Sequence, residues 1–194
     1  MWRPTFAEFP DDARCLEETD AYMLGASLLV APVCEPGARK LSVYLPAGAS
    51  WCDYWSGARL AGGAVYEVEA PLGRPVLFAR EGAAIAMNVA EQHFDLRSDE
   101  RAFLVFPPAR GVVRGASFED DGECVLGHNH GFWNVAIACG DTLKIVCSKT
   151  GPVPPAASRL TLLFRPNERR PLAGGTVLSD AADAEWRKVV IAVP

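Results

Sequence analysis

The sequence has no long hydrophobic segment and no concentration of basic residues. Its longest apolar stretch, residues 22–33, is interrupted by Gly25, Ser27 and Pro32, whereas a membrane helix needs about 20 mainly apolar residues. The first residues lack the basic start and apolar stretch of a signal peptide. The net charge is −5, and no run of Lys and Arg is available to neutralise phosphates. These absences argue against a membrane-spanning protein and against a nucleic-acid-binding protein.

Cysteine pairs with the spacing of a metal site or a redox motif are also absent. The cysteines are Cys15, Cys34, Cys52, Cys124, Cys139 and Cys147. An even number permits disulfides, but the spacing is irregular and no CxxC motif occurs. Cys139 and Cys147 lie in apolar, strand-like segments. We therefore predict buried free thiols and a reducing, cytoplasmic location, and we expect neither a cofactor nor a bound metal ion.

The dominant feature of the sequence is the alternation of apolar and polar residues with a period of two. In residues 41–45, for example, Leu41, Val43 and Leu45 alternate with other residues, which predicts a strand with one buried face. Similar segments follow at 66–70, 133–137, 143–147, 160–164 and 189–193. Turn sequences rich in Gly and Pro separate them. The pattern predicts an all-β protein built from β-sandwiches.

The predicted domain organisation is two antiparallel β-sandwich domains in tandem after a short non-β leader. The leader is residues 1–24, the proximal sandwich residues 25–90 and the distal sandwich residues 91–194, because a polar segment near 88–100 breaks the alternation. Within the leader, residues 13–24 contain neither Gly nor Pro and are predicted to be helical. Asp11 or Asp12 would cap this helix and Gly25 would end it.

Four segments of the first half occur in an order typical of a known family. They read "RPTFAEFPDD", "YMLGASLLVAPV", "VYLPAGASWCDYWSGARLAGG" and "APLGRPVLFAREGAAIAM". Together, over about residues 2–88, they resemble the region that follows the catalytic barrel of glycoside hydrolase family 31, which includes α-glucosidases and α-xylosidases. The resemblance is looser beyond residue 91 and weakens after about residue 150.

The resemblance implies that the leader is the last strand and helix of a (β/α)8 barrel whose other strands are not in this sequence. A barrel of that kind needs roughly 250 residues. The family's nucleophile and acid/base are two aspartates on earlier barrel strands, so no catalytic residue is carried over to this chain. The Asp11–Asp12 motif is not the catalytic one, and helix capping is its expected role.

The acidic segment "SFEDDGECV" is the most obvious alternative candidate for chemistry. It contains Glu119, Asp120, Asp121 and Glu123. A retaining glycosidase needs two carboxyl groups about 5–5.5 Å apart, but neighbours along a strand point to opposite faces. Asp-Gly between apolar segments is a hairpin signal. A turn is therefore expected, with a calcium site as the alternative.

Three aromatic residues form the one candidate binding site, a sugar platform of Trp51, Tyr54 and Trp55. Aromatic rings stack on sugar faces, but they also fill sandwich cores and domain interfaces, and both readings are open for this segment. Trp51 and Trp55 would share one face of a strand.

The remaining polar motifs predict surface structure. His128 and His130 have the spacing of metal ligands but lie in a polar loop without suitable acidic or thiol partners, and His93 is expected to be exposed. Glu168, Arg169 and Arg170 are expected to form a solvated turn that contributes little to stability.

The predicted function is that of a non-catalytic accessory region in a retaining α-glycosidase that acts on α-linked glucose or xylose. Its partners would be the catalytic barrel and the parent enzyme's carbohydrate substrate. Exposed apolar residues of the leader, Trp2, Phe6 and Phe9, also predict self-association. A stand-alone carbohydrate-binding module and an extracellular adhesion sandwich are the alternatives.

Overall fold

The computed structural model describes residues 2–17, 20–88, 100–120, 129–152 and 158–193. Within these ranges the chain is almost entirely β-structure in several mainly antiparallel sheets, which confirms the all-β fold class. The chain divides into two compact units, Met1–Glu81 (unit 1) and Gly82–Pro194 (unit 2). The predicted boundary after residue 90 lies outside the described residues. No helix in the described part is long and apolar enough to cross a membrane.

Unit 1 contains one six-stranded antiparallel sheet and one antiparallel strand pair. Its strands are β1 (Trp2–Pro4), β2 (Tyr22–Leu24), β3 (Leu28–Ala31), β4 (Lys40–Leu45), β5 (Ser50–Asp53), β6 (Arg59–Ala61), β7 (Ala64–Glu69) and β8 (Val76–Arg80). The large sheet has the order β1-β2-β3-β8-β5-β6, and β4 pairs with β7. Helix α1 (Thr5–Glu8) and a 3₁₀ helix (Ala13–Leu16) lie between β1 and β2.

Unit 2 contains a five-stranded and a four-stranded sheet. Its strands are β9 (Ala84–Asn88), β10 (Glu100–Val105), β11 (Gly111–Asp120), β12 (His130–Cys139), β13 (Leu143–Thr150), β14 (Arg159–Phe164), β15 (Leu172–Ala173), β16 (Thr176–Ala182) and β17 (Arg187–Ala192). The sheets have the orders β16-β17-β14-β10-β9 and β11-β12-β13-β15. Two of these pairings, β10 with β14 and β13 with β15, are parallel.

The leader is not the non-β segment that its sequence predicts. The helix expected over residues 13–24 is limited to the 3₁₀ turn Ala13–Leu16, and Tyr22–Leu24 is a strand. Tertiary packing overrides local propensity here, because Met23 is fully buried between β1 and β3. Gly25 does adopt a positive φ of 64°, but it lies in the turn that joins β2 to β3 rather than at the end of a helix.

Each unit has its own hydrophobic core. Unit 1 buries Met23, Leu29, Trp51 and Phe78 completely. The apolar segment 27–33 forms the buried strand Leu28–Ala31, as expected. In unit 2 the period-two pattern is borne out along β12, where alternate residues are buried. The members of that core with no exposed surface are Phe103, Val113, Trp133, Ile137, Leu143, Leu160, Leu162, Phe164 and Val189.

The five cysteines that the structure describes are free thiols. Cys15, Cys52 and Cys139 are buried, as predicted, whereas Cys34 is exposed. Burial raises the pKa of the Cys52 thiol to about 11 and has the same effect on Cys147. Because the thiolate is the reactive form, these thiols are inert at neutral pH. Cys124 lies outside the described residues.

This difference in exposure predicts one rapidly reacting thiol in a Cys124→Ser background. At pH 8 we expect Ellman's reagent to label Cys34 at least tenfold faster than the other four thiols, since Cys34 is exposed, Cys15, Cys52 and Cys139 are buried, and Cys147 is only partly exposed. The burst of absorbance at 412 nm measures it. Adding Cys34→Ser must remove the burst; a burst that persists, or one of two or more equivalents, contradicts this assignment.

Candidate functional site

The three residues of the predicted sugar platform do not lie on one surface. Trp51 is fully buried on β5, where its indole N–H donates to the carbonyl of Pro46 at 3.0 Å and its ring lies 5.7 Å from that of Phe9. It belongs to the core of unit 1 and offers no face to a ligand. Trp51 and Trp55 do not share a strand face either, because β5 ends at Asp53. Tyr54 and Trp55 remain partly exposed.

Trp55 is held rigidly in the turn after β5. The Asp53 carboxylate accepts hydrogen bonds from the backbone N–H groups of Trp55 and Ser56, and the indole N–H donates to the carbonyl of Pro75 at 2.7 Å. The Arg74 guanidinium lies 4.9 Å from the centre of the Trp55 ring. These contacts border a groove of about 420 Å³. The ring is fixed, but a cation–π partner already lies against it.

The acidic segment forms no pair of converging carboxylates among the described residues. Glu119 and Asp120 are consecutive on β11, so their side chains leave opposite faces of the sheet. The Glu119 carboxylate accepts hydrogen bonds from the Arg101 guanidinium and from the indole N–H of Trp133. This carboxylate therefore has a structural role. Asp121 and Glu123 lie outside the described residues.

Two antiparallel strands flank this segment, but the predicted turn at Asp121–Gly122 lies outside the described residues. Strand β11 pairs antiparallel with β12 in continuous register from Gly111↔Cys139 to Asp120↔His130. In the described part of the chain, no group of three or more His, Cys, Asp and Glu side chains could hold a metal ion. His128 and His93 lie outside the described residues, while His130 stacks on Phe118.

The prediction of a solvated turn at Glu168–Arg170 is wrong for Glu168 and Arg170. The Arg170 side chain is 19% exposed and the Glu168 side chain 11%. The Arg170 guanidinium donates to the Glu168 carboxylate and to the carbonyls of Pro108, Ala109 and Gly140. Arg169, in contrast, is exposed. Sequence gave no signal for this difference, because the accepting carbonyls are 30 or more residues away.

The leader carries a surface of exposed apolar side chains. Trp2 is 69% exposed and Phe6 44%, and Leu24, the strand partner of Trp2, is 48% exposed. We call Trp2, Phe6 and Leu24 the leader surface. The expectation of exposure is confirmed for Trp2 and Phe6, but it is wrong for Phe9. Phe9 is 6% exposed because it packs against Trp51 in the core.

Asp12 joins this leader to the rest of unit 1. Its carboxylate caps the 3₁₀ helix by accepting from the backbone N–H of Arg14, as predicted. It also accepts from the Tyr44 hydroxyl at 2.8 Å and the Ala47 N–H at 2.7 Å. Desolvation acts to raise the pKa of Asp12, but the hydrogen bonds from Ala47, Tyr44 and Arg14 outweigh it and lower the pKa. The long-range contacts were not predictable from the motif alone.

Ion pairs add a second connection between the leader and the large sheet. Glu8, at the end of α1, pairs with Arg3 of β1 at 2.6 Å and with Arg80 of β8 at 3.4 Å. The Arg80 guanidinium also lies 5.2 Å from the centre of the Phe9 ring. The leader is thus an integral part of unit 1, fixed by hydrogen bonds, ion pairs and core packing, and its apolar surface is presented on a rigid support.

The known proteins to which this chain is similar include several glycoside hydrolases of family 31. Residues 1–85 match the family described as glycosyl hydrolase family 31 C-terminal domain. The chain is 31% identical to α-glucosidase 2 of Bacillus thermoamyloliquefaciens over 123 residues. The aligned residues make up 63% of this chain and 16% of that enzyme. It is 34% identical to the α-xylosidase of Saccharolobus solfataricus over 127 residues, and these residues make up 63% of this chain and 17% of that enzyme. The chain thus matches about a sixth of the length of these relatives.

Solved structures extend the similarity to nearly the whole chain. The family 31 dextranase of Flavobacterium johnsoniae, in a complex with isomaltotriose, superimposes with a TM-score of 0.82 over 98% of this chain and 27% of the dextranase, at 22% identity. The family 31 α-xylosidase of Xanthomonas citri gives a TM-score of 0.72 over 98% of this chain and 21% of that enzyme, at 24% identity. At these identities the likeness concerns the fold. Residues 1–85 therefore match the glycosyl hydrolase family 31 C-terminal domain, and the chain has a fold similar to part of the family 31 dextranase and α-xylosidase.

Proposed function

We propose that this chain is the non-catalytic C-terminal region of a retaining α-glycosidase and supports a catalytic (β/α)8 barrel. The observation that carries the proposal is the leader surface within the family-matched residues 1–85. Trp2, Phe6 and Leu24 are apolar and exposed, yet the leader that bears them is firmly fixed by Asp12 and Glu8. A rigid apolar surface of this kind is suited to packing against a larger body.

In this proposal the two units are a proximal and a distal β-sandwich, and the leader, which folds as part of unit 1, leads the chain from the end of the barrel into that sandwich. The parent enzyme cleaves α-linked glucosides or xylosides with retention through a covalent glycosyl-enzyme, which requires two carboxyl groups on opposite sides of the sugar bond. Glu119, the acidic candidate in this chain, accepts hydrogen bonds from Arg101 and Trp133. The reacting carboxylates would therefore lie on the barrel. The free thiols of the described cysteines favour a cytoplasmic location for the protein.

A chimaera tests this support directly. The matching C-terminal region of the Saccharolobus solfataricus α-xylosidase is replaced by this chain, and hydrolysis of p-nitrophenyl α-xyloside is measured. We expect the chimaera to be soluble and active and the truncated xylosidase without a replacement to be inactive. The isolated chain should turn over neither the xyloside nor p-nitrophenyl α-glucoside.

The double change Trp2→Ser and Phe6→Ser provides the matched variant for the chimaera. Because both side chains lie on the leader surface, we expect this variant to lower the chimaera's thermal inactivation temperature without altering the fold of the chain alone. If the chimaera is inactive although this chain is folded within it, the proposal that the chain supports a catalytic barrel is contradicted. Glycosidase activity of the isolated chain that disappears in Glu119→Gln contradicts the non-catalytic assignment.

The same surface predicts self-association of the isolated chain. With Trp2 and Phe6 exposed to water, two copies bury this apolar area against each other, and each 100 Å² of apolar surface removed from water contributes about 2.5 kcal/mol. Light scattering should show a mass that rises with concentration between about 10 µM and 500 µM, the range over which a weak dimer forms. The Trp2→Ser/Phe6→Ser variant should remain monomeric. A wild-type chain that is strictly monomeric over this range contradicts the prediction.

A further inference from the structure

One side of the four-stranded sheet in unit 2 carries a regular array of exposed side chains, which we call the outer face. The registers of β11, β12 and β13 place alternate residues on this side. Its three central rows are Phe118–Phe132–Thr150, Ala116–Asn134–Ser148 and Arg114–Ala136–Val146. The opposite side of the same strands holds the core residues Val113, Trp133 and Ile145. The outer face is therefore not needed to build the core.

An aromatic cluster forms one end of the outer face. Phe118 is 53% exposed. Its ring stacks on His130 at a centroid distance of 5.7 Å and an interplanar angle of 26°, and it meets Phe132 edge-on at 5.4 Å. His130 and Phe132 are themselves in edge contact at 5.7 Å. The neighbouring rings fix the orientation of Phe118 while half of its surface stays open to solvent, which pre-organises a flat apolar platform.

A groove begins one row away from this cluster. The small residues Gly115, Ala116 and Ala136 form its floor, and its volume is about 410 Å³. This is within the range of about 300–1,000 Å³ typical of small-molecule sites. Because alternate residues of a strand are about 7 Å apart, the platform and the groove are within the reach of two or three consecutive sugar units.

Hydrogen-bonding side chains line the groove beside the platform. Asn134 and Ser148 are cross-strand partners in the central row. The Asn134 amide donates to the Thr150 hydroxyl at 2.9 Å, which fixes the plane of the amide. Among the described residues that line the groove, Arg114 alone is charged. The lining thus combines apolar surface with neutral polar groups and a single cation.

We infer that the outer face of unit 2 is a binding site for an α-linked gluco-oligosaccharide. A pyranose presents apolar C–H faces that pack on an aromatic ring and hydroxyls that exchange hydrogen bonds with amide, hydroxyl and guanidinium groups. Phe118 stacks one sugar, and Asn134 and Ser148 bind the hydroxyls of the next. A purely apolar partner would remove the polar groups of Asn134 and Ser148 from water without offering them new hydrogen bonds, and an anionic ligand would find one cation, Arg114, in the groove. The choice of α-linked glucans rests on the function proposed above.

Titration of the complete chain with isomaltotriose and maltotriose, followed by isothermal calorimetry, tests this inference. We expect saturable binding that Phe118→Ala weakens at least tenfold and Asn134→Ala several-fold, whereas Phe118→Tyr retains it. Leu178→Ala is the matched control, because Leu178 is 50% exposed on β16 of the same unit, and it should leave the affinity unchanged. Urea denaturation of each variant verifies that the fold is retained.

Three outcomes would overturn the site. They are an absence of binding by the folded wild-type chain, binding lost in Trp55→Ala but kept in Phe118→Ala, and equal affinity for the β-linked trisaccharide cellotriose. The chimaera experiment does not involve the outer face, so a failure there with intact sugar binding would contradict only barrel support. Loss of sugar binding with an active chimaera would contradict only this site.

Discussion

Trp51→Ala is expected to lower the free energy of unfolding of unit 1 by about 3–5 kcal/mol, the usual cost of removing a buried indole from a core. Trp51 has no exposed surface, contacts Phe9 and donates its N–H to the carbonyl of Pro46. The change therefore leaves both a cavity and a buried carbonyl without its hydrogen bond. Trp51→Phe should cost less, since it retains most of the volume and loses mainly the hydrogen bond.

Trp55→Ala is the matched control, four residues along the same segment. Trp55 is partly exposed and its ring contacts are with Tyr54 and Arg74 at the surface, so we expect a cost of about 1 kcal/mol. Urea denaturation gives the size of each effect. Hydrogen exchange assigns it, because amides of β5 and β8 should lose protection in Trp51→Ala while those of β12 and β13 keep theirs. An equal loss of unfolding free energy in the two variants would contradict the placement of Trp51 in the core.

The positions of Trp51 and Trp55 in the structure show how much could be predicted from sequence. Alternation identified the strands well where one face is buried, as along β12, because period two is a direct consequence of strand geometry. It could not distinguish a core indole from a surface one, since Trp51 and Trp55 are both plausible on a strand face. What separates them is the end of β5 at Asp53, which depends on a turn stabilised by side-chain hydrogen bonds.

The wrong prediction of a helix over residues 13–24 of the leader has a different physical cause. Residues 13–24 lack Gly and Pro and have helical propensity, but propensity is worth only tenths of a kcal/mol per residue. Pairing of Tyr22–Leu24 with β1 and β3 buries Met23 completely, and this contributes more. Strand β3 follows β2 directly, but β1 pairs with β2 from the far end of the leader, Trp2↔Leu24 to Pro4↔Tyr22, and local patterns do not reveal that pairing. The family resemblance was recognisable because it depends on the order of motifs rather than on their secondary structure.

The outer face of unit 2 was missed for a related reason. From sequence, Phe118 belongs to the acidic segment and Asn134 to the strand predicted over residues 133–137, and neither pattern relates one to the other. Their alignment across three strands depends on the register of the hairpin, Phe118↔Phe132 and Asn134↔Ser148. Period-two patterns define the faces of single strands but do not fix the register between them. A site that is spread over several strands is therefore invisible until the strands are paired.

Arg170→Met is the other change with a large expected effect, at about 3 kcal/mol of destabilisation. The Arg170 guanidinium satisfies three backbone carbonyls from two different segments as well as the Glu168 carboxylate. Its removal leaves a largely buried carboxylate without its guanidinium partner, which is the costly way to break such a pair. Arg170→Lys should recover only part of the loss, because a lysine cannot reproduce the planar arrangement of donors. Arg169→Met, at the exposed neighbouring position, should change the free energy of unfolding by less than about 0.5 kcal/mol.

The pH dependence of stability distinguishes this ion pair from simple packing by the arginine stem. Desolvation acts to raise the pKa of Glu168, but the hydrogen bonds and charge of Arg170 outweigh it and hold the pKa below its ordinary value. A carboxyl group with a lowered pKa in the folded state stabilises the protein fully above its unfolded pKa, about 4.3. That stabilisation is lost as the pH falls through the folded pKa. Urea denaturation at pH 7 and pH 3 should therefore show a difference between wild type and Arg170→Met that is large at pH 7 and smaller at pH 3. An equal difference at both values would mean that Arg170 acts through its hydrogen bonds to carbonyls and its packing, with no contribution from its charge on Glu168.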